Sequence, residues 1–193
     1  MLPRLGSSKL VTRWLLVTLV ASIIAAVDRG FLSFWAALIP AKILRGELWR
    51  LVSWVFVEQG PTSLILTLVA VYKFGSELVD RWGDRRLLRF MLEVVLAASA
   101  AMCLIAAVAG RTYVARCGGW AATDALVIAW ARQFPDRGLR LYGLLTLRGR
   151  DLVMVTVGTA IVFAIYFGPI VTAPELVACL VAAGYPRSRL KAL

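Results

Sequence analysis

Histidine is absent from all 193 residues. That removes every Ser–His and Cys–His nucleophile pair, a histidine general base, and any histidine-ligated metal or haem. Cysteine is nearly as scarce. Cys103, Cys117 and Cys179 are odd in number, far apart and without a CxxC pair, so neither a disulfide framework nor a zinc site is expected. Cys103 and Cys179 lie inside apolar runs and are expected to pack as small hydrophobes. No cofactor is expected. Acidic residues are few, 11 against 22 Lys and Arg, for a net charge of +11. A basic chain raises the question of nucleic acid, but no RNA- or DNA-reading motif is present and no nucleic-acid partner is expected. Internal repeats and low-complexity tracts are absent too.

What the chain has is apolar sequence. It is 61% hydrophobic with a mean hydropathy of +0.80, against about 45–50% apolar for a soluble domain. Apolar runs separated by charged clusters predict an all-α, polytopic membrane helix bundle with six transmembrane helices, forming one domain over residues 1–193. The lipid bilayer is then its first partner. A basic N-tail (1–13) precedes a span over Trp14–Val27, closed by Asp28-Arg29. A charged start and an apolar run resemble a signal peptide, but no small-x-small cleavage site follows, so an uncleaved span is expected; a basic, acid-free start also fits a mitochondrial presequence. Residues 31–50, with Pro40 and several aromatics, read as an interfacial loop. Further spans are expected over Pro61–Leu78, Leu88–Val108, Gly118–Phe134, Leu152–Phe167 and Ile170–Tyr185. Gln133–Asp151 reads as an Arg-rich interfacial connection, and 186–193 as a basic C-tail. Ala97/Ala101, Ala106/Gly110 and Gly118/Ala122 have small-xxx-small spacing, which permits close helix contact. With both termini inside, fifteen of the 22 basic residues fall on the inner side and six on the outer. That asymmetry predicts cytoplasmic or matrix-side termini, in a bacterial inner membrane or an organelle membrane (mitochondrial inner or endoplasmic reticulum).

The stretch Gly46–Gly83 carries a pattern. Trp49, Arg50, Ser53, Phe56, Leu64, Gly75 and Gly83 follow W-R-x-x-[TS]-x-x-F-x-H-x-x-x-x-H-L-x-x-N and then G-x-x-x-E-x-x-x-G, and so resemble the rhomboid and derlin superfamily. The polar positions of that pattern are substituted: its two histidine slots hold Glu58 and Ser63, its asparagine slot Thr67 and its glutamate slot Val79. The resemblance extends over roughly Trp14–Tyr185. It aligns Gly119-Trp120-Ala121-Ala122 with the G-x-S-G that opens the fourth helix of rhomboid proteases, so Ala121 takes the serine slot. In the sixth helix H-x-x-G-x-x-x-G falls on Glu175, Ala178 and Ala182, or with a shift of one residue puts Pro174 in the histidine slot. Ser63, Thr67, Ala121 and Glu175 are then degenerate family positions, and an inactive, rhomboid-like pseudoprotease is implied.

Ionisable residues inside a membrane are expensive and mark candidate sites. Asp124 in the fourth helix lines a polar cavity or makes a structural hydrogen bond to a neighbouring helix. Glu175 occupies the old histidine site and meets a client or partner, or answers the dipole at its helix N-terminus. Glu93 and the pair Lys73/Glu77 read as edge charges, and Trp49-Arg50 as an anchor of the first loop or a partner site. The leading expectation is therefore a protein that is not an enzyme. It binds transmembrane helices of other membrane proteins, as a structural subunit of a stable multi-subunit complex or as a derlin-like client-handling factor. The alternative is an intramembrane serine protease with non-standard residues, drawing on Ser63, Thr67 or Thr123 with Asp124, Glu175 or Lys73 as base. Lys73 is ten positions from Ser63, about 15 Å along a helix, which disfavours a Ser–Lys dyad. A transporter would show inverted repeats or paired broken helices, and neither is visible.

Overall fold

The computed structural model describes residues 8–141 and 145–185; Arg4 and the basic C-tail with Arg187, Arg189 and Lys191 lie outside them. The chain is an all-α membrane helix bundle. Helix α1 (Lys9–Val27) starts where Ser8 accepts the Val11 N–H at 3.1 Å, an N-cap that satisfies one of the helix's orphan donors. The last five residues of the expected N-tail are thus its first turns. At the far end the Asp28 carboxylate accepts the N–H groups of Gly30 and Leu32 and reverses the chain.

The expected interfacial loop contains three short helices, α2 (Phe31–Ala36), α3 (Pro40–Ile43) and α4 (Arg50–Ser53), the last running on into a 3-10 turn over Trp54–Phe56. Phe31, Phe34, Trp35, Leu44, Leu48 and Trp49 remain exposed on it, as a segment lying in the headgroup region requires. What fixes the loop is Arg50, which is fully buried. It pairs with Glu47 at 2.6 Å and donates to the carbonyls of Phe34 and Ala37 at 2.6 and 2.8 Å. Ser53, one turn on, donates to Ala36 O at 2.9 Å. Two side chains of α4 therefore cap the C-terminal carbonyls of α2, which would otherwise be unsatisfied. Trp49 stacks on Trp35 and donates to its carbonyl. Buried Trp54 then ties the loop to the bundle through Ser99, at 2.9 Å.

Helix α5 (Pro61–Ala70) passes through a π-helical turn, Val71–Gly75, into α6 (Ser76–Trp82), and these make one 22-residue membrane segment. Gly83, at φ 79° and ψ 158°, alone turns the chain into α7 (Asp84–Val108), a conformation available essentially only to glycine. The buried face of α7 runs through Phe90, Met91, Val94, Val95, Ala98, Met102 and Ala106. The expected small-residue contact at Ala97/Ala101 is displaced from it: both are only partly buried, because the inward stripe is set by the larger residues either side. Gly110 lies exposed beyond the helix end, so Ala106/Gly110 is not a contact pair either.

Helix α8 (Trp120–Gln133) is the centre of the bundle, with ten of its fourteen residues buried. At about 1.5 Å per residue it is too short to cross a hydrocarbon core of about 30 Å alone. It is enclosed by α5, α7 and the two helices that follow, α9 (Gly149–Phe167) and α10 (Pro169–Gly184). Of the six expected spans, α1, α5–α6, α7 and α9 are long and apolar enough to cross a membrane, and α10 is apolar but shorter. The Arg-rich connection also differs from expectation: strands β1 (Gly138–Leu141) and β2 (Leu145–Arg148) pair antiparallel in it. Leucine alternates there with Arg and Thr, the period-two pattern of a strand. Gly149 follows at once, where a Cβ would stand 2.6 Å from Phe134 O, so α9 docks on the end of α8 only through glycine.

Arg50→Lys removes the planar fork that reaches two carbonyls and a carboxylate together. A loss of about 2–3 kcal/mol is expected, read as an earlier unfolding midpoint in detergent, with helix content at low temperature unchanged.

Candidate functional site

Polar residues gather at the head of α8. Glu58 follows the 3-10 turn after one extended residue, Val57, and is buried, with 5% of its surface exposed. Its N–H donates to Ser22 Oγ on α1 at 3.0 Å, and Ser22 donates in turn to Phe56 O. The carboxylate collects three donors: Thr67 Oγ1 at 2.8 Å and the Gly119 N–H at 2.7 Å reach Oε1, and Ser63 Oγ donates to Oε2. Ser63 and Thr67 converge because they are four residues apart on α5 and so share a face. Gly119 is the N-cap of α8. A Cβ there would stand 3.0 Å from Glu58 Oε1 and 3.0 Å from Val55 O; only glycine admits the carboxylate this close. Burying a carboxylate is costly unless it is fully hydrogen-bonded, and the helix N-terminus adds a favourable dipole.

A second group lies between the connection preceding α8 and α10. Glu175 is 2% exposed and pairs with Arg116, while its Oε2 and the Arg116 Nε are buried without a partner. Asp124 lies close enough to both to interact with them electrostatically. The dipole reading of Glu175 is corrected. It stands in the second turn of α10, after Pro174, and a guanidinium holds it.

The structure thus brings Ser63 and Thr67 together with Glu58 and Gly119, and Glu175 with Arg116 and Asp124. Ala121 is fully buried in the first turn of α8. Trp49 and Arg50 stay apart, in the first loop. Sequence reasoning gave Glu58 a slot but missed its bonding. The signal was a carboxylate just before a Pro-started helix, with Ser five and Thr nine residues on. Lys73 and Glu77 do pair, at 2.7 Å, yet Glu77 is more than an edge charge: its other oxygen accepts from Trp130 on α8 at 2.7 Å and from Arg137 at 3.0 Å.

Two cavities flank Glu58. One, of about 340 Å³, lies between the first turn of α5 and α9–α10, with Arg116, Cys117, Trp120, Phe163, Phe167 and Thr172 among its walls. The other, of about 460 Å³, lies against α1, with Ser22, Ile23 and Ala26 in its wall. Glu58, Gln59 and Gly60 line both. All three cysteines are free thiols, Cys179 and Cys117 buried. Burial pushes the Cys117 thiol up to about 11, against the opposing effect of Arg116. It is therefore protonated at neutral pH and its alkylation is slow.

Four apolar helices of spanning length in a bundle with an enclosed, polar-headed helix define a multi-pass integral membrane protein. The chain belongs to the family described as eukaryotic integral membrane protein (DUF1751), whose model matches residues 9–187. No curated protein matches it.

Arg116→Met strands the Glu175 carboxylate in the bundle and is expected to cost about 3 kcal/mol. Adding Glu175→Leu recovers most of that loss, a non-additivity that a double-mutant cycle of unfolding midpoints measures.

Proposed function

We propose that this is a non-catalytic, rhomboid-like membrane protein that binds transmembrane segments of other proteins, as a fixed subunit of a membrane assembly or a derlin-like client-handling factor. The observation that carries the reading is the occupied head of α8. Under the rhomboid-like alignment, Ser63, Thr67 and the start of the fourth helix are the places where an oxyanion would be stabilised. The Gly119 N–H and both hydroxyls are instead spent on Glu58. Ala121 offers no nucleophile, and Glu175 is held by Arg116.

The architecture supports the same reading. A Trp-Arg pair fixes the first loop, and a short fourth helix is buried at the centre. The 340 Å³ cavity is bounded by α5 on one side and the aromatic residues Phe163 and Phe167 of α9 on the other. Helix α9 is little buried in the bundle, which leaves its outer face to lipid or to a partner helix. The excess of Arg on one side supports inside termini, and the family's eukaryotic description supports an organelle membrane over a bacterial one.

A protease reading draws on one contact, the Ser63 hydroxyl donating to a carboxylate, which is the geometric minimum for an activated nucleophile. The Gly119 N–H and the Thr67 hydroxyl, the oxyanion donors that reading would use, are bonded to Glu58, and Lys73 is engaged by Glu77.

The test places a photo-crosslinking amino acid at Phe163 and at Phe167 in cells and identifies the adducts by mass spectrometry. Discrete membrane-protein adducts are expected, and cleavage of a model membrane substrate is not. A fixed partner set at whole-number stoichiometry marks a subunit, and a broad substoichiometric set marks a client binder. Cleavage that Ser63→Ala abolishes, or no adduct at either position in folded protein, overturns the proposal.

A further inference from the structure

We propose that the head of α8 is a carboxylate-binding site that the chain fills with its own Glu58, so that Glu58 is an exchangeable plug between two cavities. The inference is independent of the rhomboid-like reading. It rests on a carboxylate seen in place, on the donors around it and on what the plug separates.

The donors belong to elements other than the one that bears the carboxylate. Ser63 and Thr67 sit on α5 and Gly119 caps α8, while Glu58 arrives on the irregular segment 57–60. The side chain is thus a guest in a site built by two helices. The host is shaped for that guest: the missing Cβ of Gly119 leaves the space that Oε1 fills, and Gly118 at φ 120° would place a Cβ 3.3 Å from Oε2. Beyond the carboxylate, the segment's anchorage includes the Glu58 N–H to Ser22 contact. Displacing the carboxylate therefore releases Glu58, Gln59 and Gly60 together, the wall common to both cavities.

The ligand chemistry follows. Two hydroxyl donors and a backbone N–H at a helix N-terminus suit a carboxylate. Trp120, Phe163 and Phe167 around the smaller cavity fit an apolar carrier of that group. Two sources share this chemistry: an acidic side chain on a neighbouring membrane protein, and a free amphiphilic acid from the bilayer.

The experiment uses the full chain in detergent. Glu58→Ala is expected to lower Tm, and sodium formate to raise it again with dose while sodium chloride does not. Wild type and Glu58→Ala/Ser63→Ala/Thr67→Val are expected not to respond. No formate effect in folded Glu58→Ala, or an equal effect in the triple variant, overturns the site. Where Glu58→Ala does not fold, its recovery on extraction in formate is the same readout. A second measurement keeps Glu58 in place. Alkylation of Cys117, which lines the smaller cavity, is expected to rise at least about tenfold in Ser63→Ala/Thr67→Val, since one hydrogen bond to a charged group changes an opening equilibrium by that much; an unchanged rate overturns the plug. For the source, laurate, dodecanol, a single-span peptide carrying one Glu and its Gln counterpart are each added to wild type. Faster labelling with laurate but not dodecanol assigns the site to free acids. Faster labelling with the Glu peptide alone assigns it to membrane partners. No acceleration with any of the four overturns exchange.

Discussion

A carboxylate enclosed among membrane helices must find donors, and much of this fold follows from how Glu58 finds them. The Pro61 start of α5 sets which residues come around to face it, and Ser63 and Thr67 are the result. The same need is met at the start of α8, because only the first four N–H groups of a helix are free of intrahelical bonds, and at Gly119 only glycine lets the oxygen approach. Ser22 carries the constraint across to α1. Two helices are thus brought to register by one charge, and a third by the backbone N–H of the same residue. Hydrophobic packing alone does not supply such specificity, since apolar side chains are as well solvated by lipid as by one another.

The polar groups of the bundle divide by whether their bonding is closed. Glu77 resembles Glu58: it collects several partners and joins separate elements, the π turn and α8. Arg50 joins the pieces of the first loop through three contacts, but its Nη2 is buried without a partner. Arg116 and Glu175 do not close. One oxygen and one nitrogen stay buried and unpaired, and Asp124 adds acid beside them. Closed knots stabilise, whereas an open one in low dielectric is a standing cost of about 1–3 kcal/mol per group.

Much of the architecture was legible because a membrane makes hydropathy decisive: the helices begin and end within a few residues of the apolar runs. The first loop was legible too, from Pro40, its aromatics and Trp49-Arg50. What escaped was geometry that periodicity does not encode. Ala97/Ala101 has the spacing of a contact, but rotation about α7 is set by Phe90, Val94 and Met102, and these turn the pair aside. The strand pair 138–141 and 145–148 was hidden by its arginines, which suggested an interfacial connection while the leucines kept strand period. Glu58 had the right residue type in a named slot, but that its acceptors would meet a glycine 61 positions away is a fact of tertiary structure.

Under the rhomboid-like reading proposed above, the central helix accounts for a fold kept without its chemistry. Ala121, Ala122 and Ala125 on α8, and Ala178 and Ala182 on α10, are all essentially inaccessible. They are small because the two helices pack closely along these faces. That demand exists whatever the site does, so spacing of small residues in the fourth and sixth helices reports packing and says nothing about catalysis. In the rhomboid-like reading, catalysis would depend on a few polar atoms at the head of α8, and in this chain those atoms bond to Glu58. A free oxyanion site is a set of unsatisfied buried donors, a cost borne only where substrate charge is to be met. Filling it with a carboxylate removes that cost and rigidifies the centre. A chain without histidine has no imidazole to use such donors with, and Glu58 puts them to structural use.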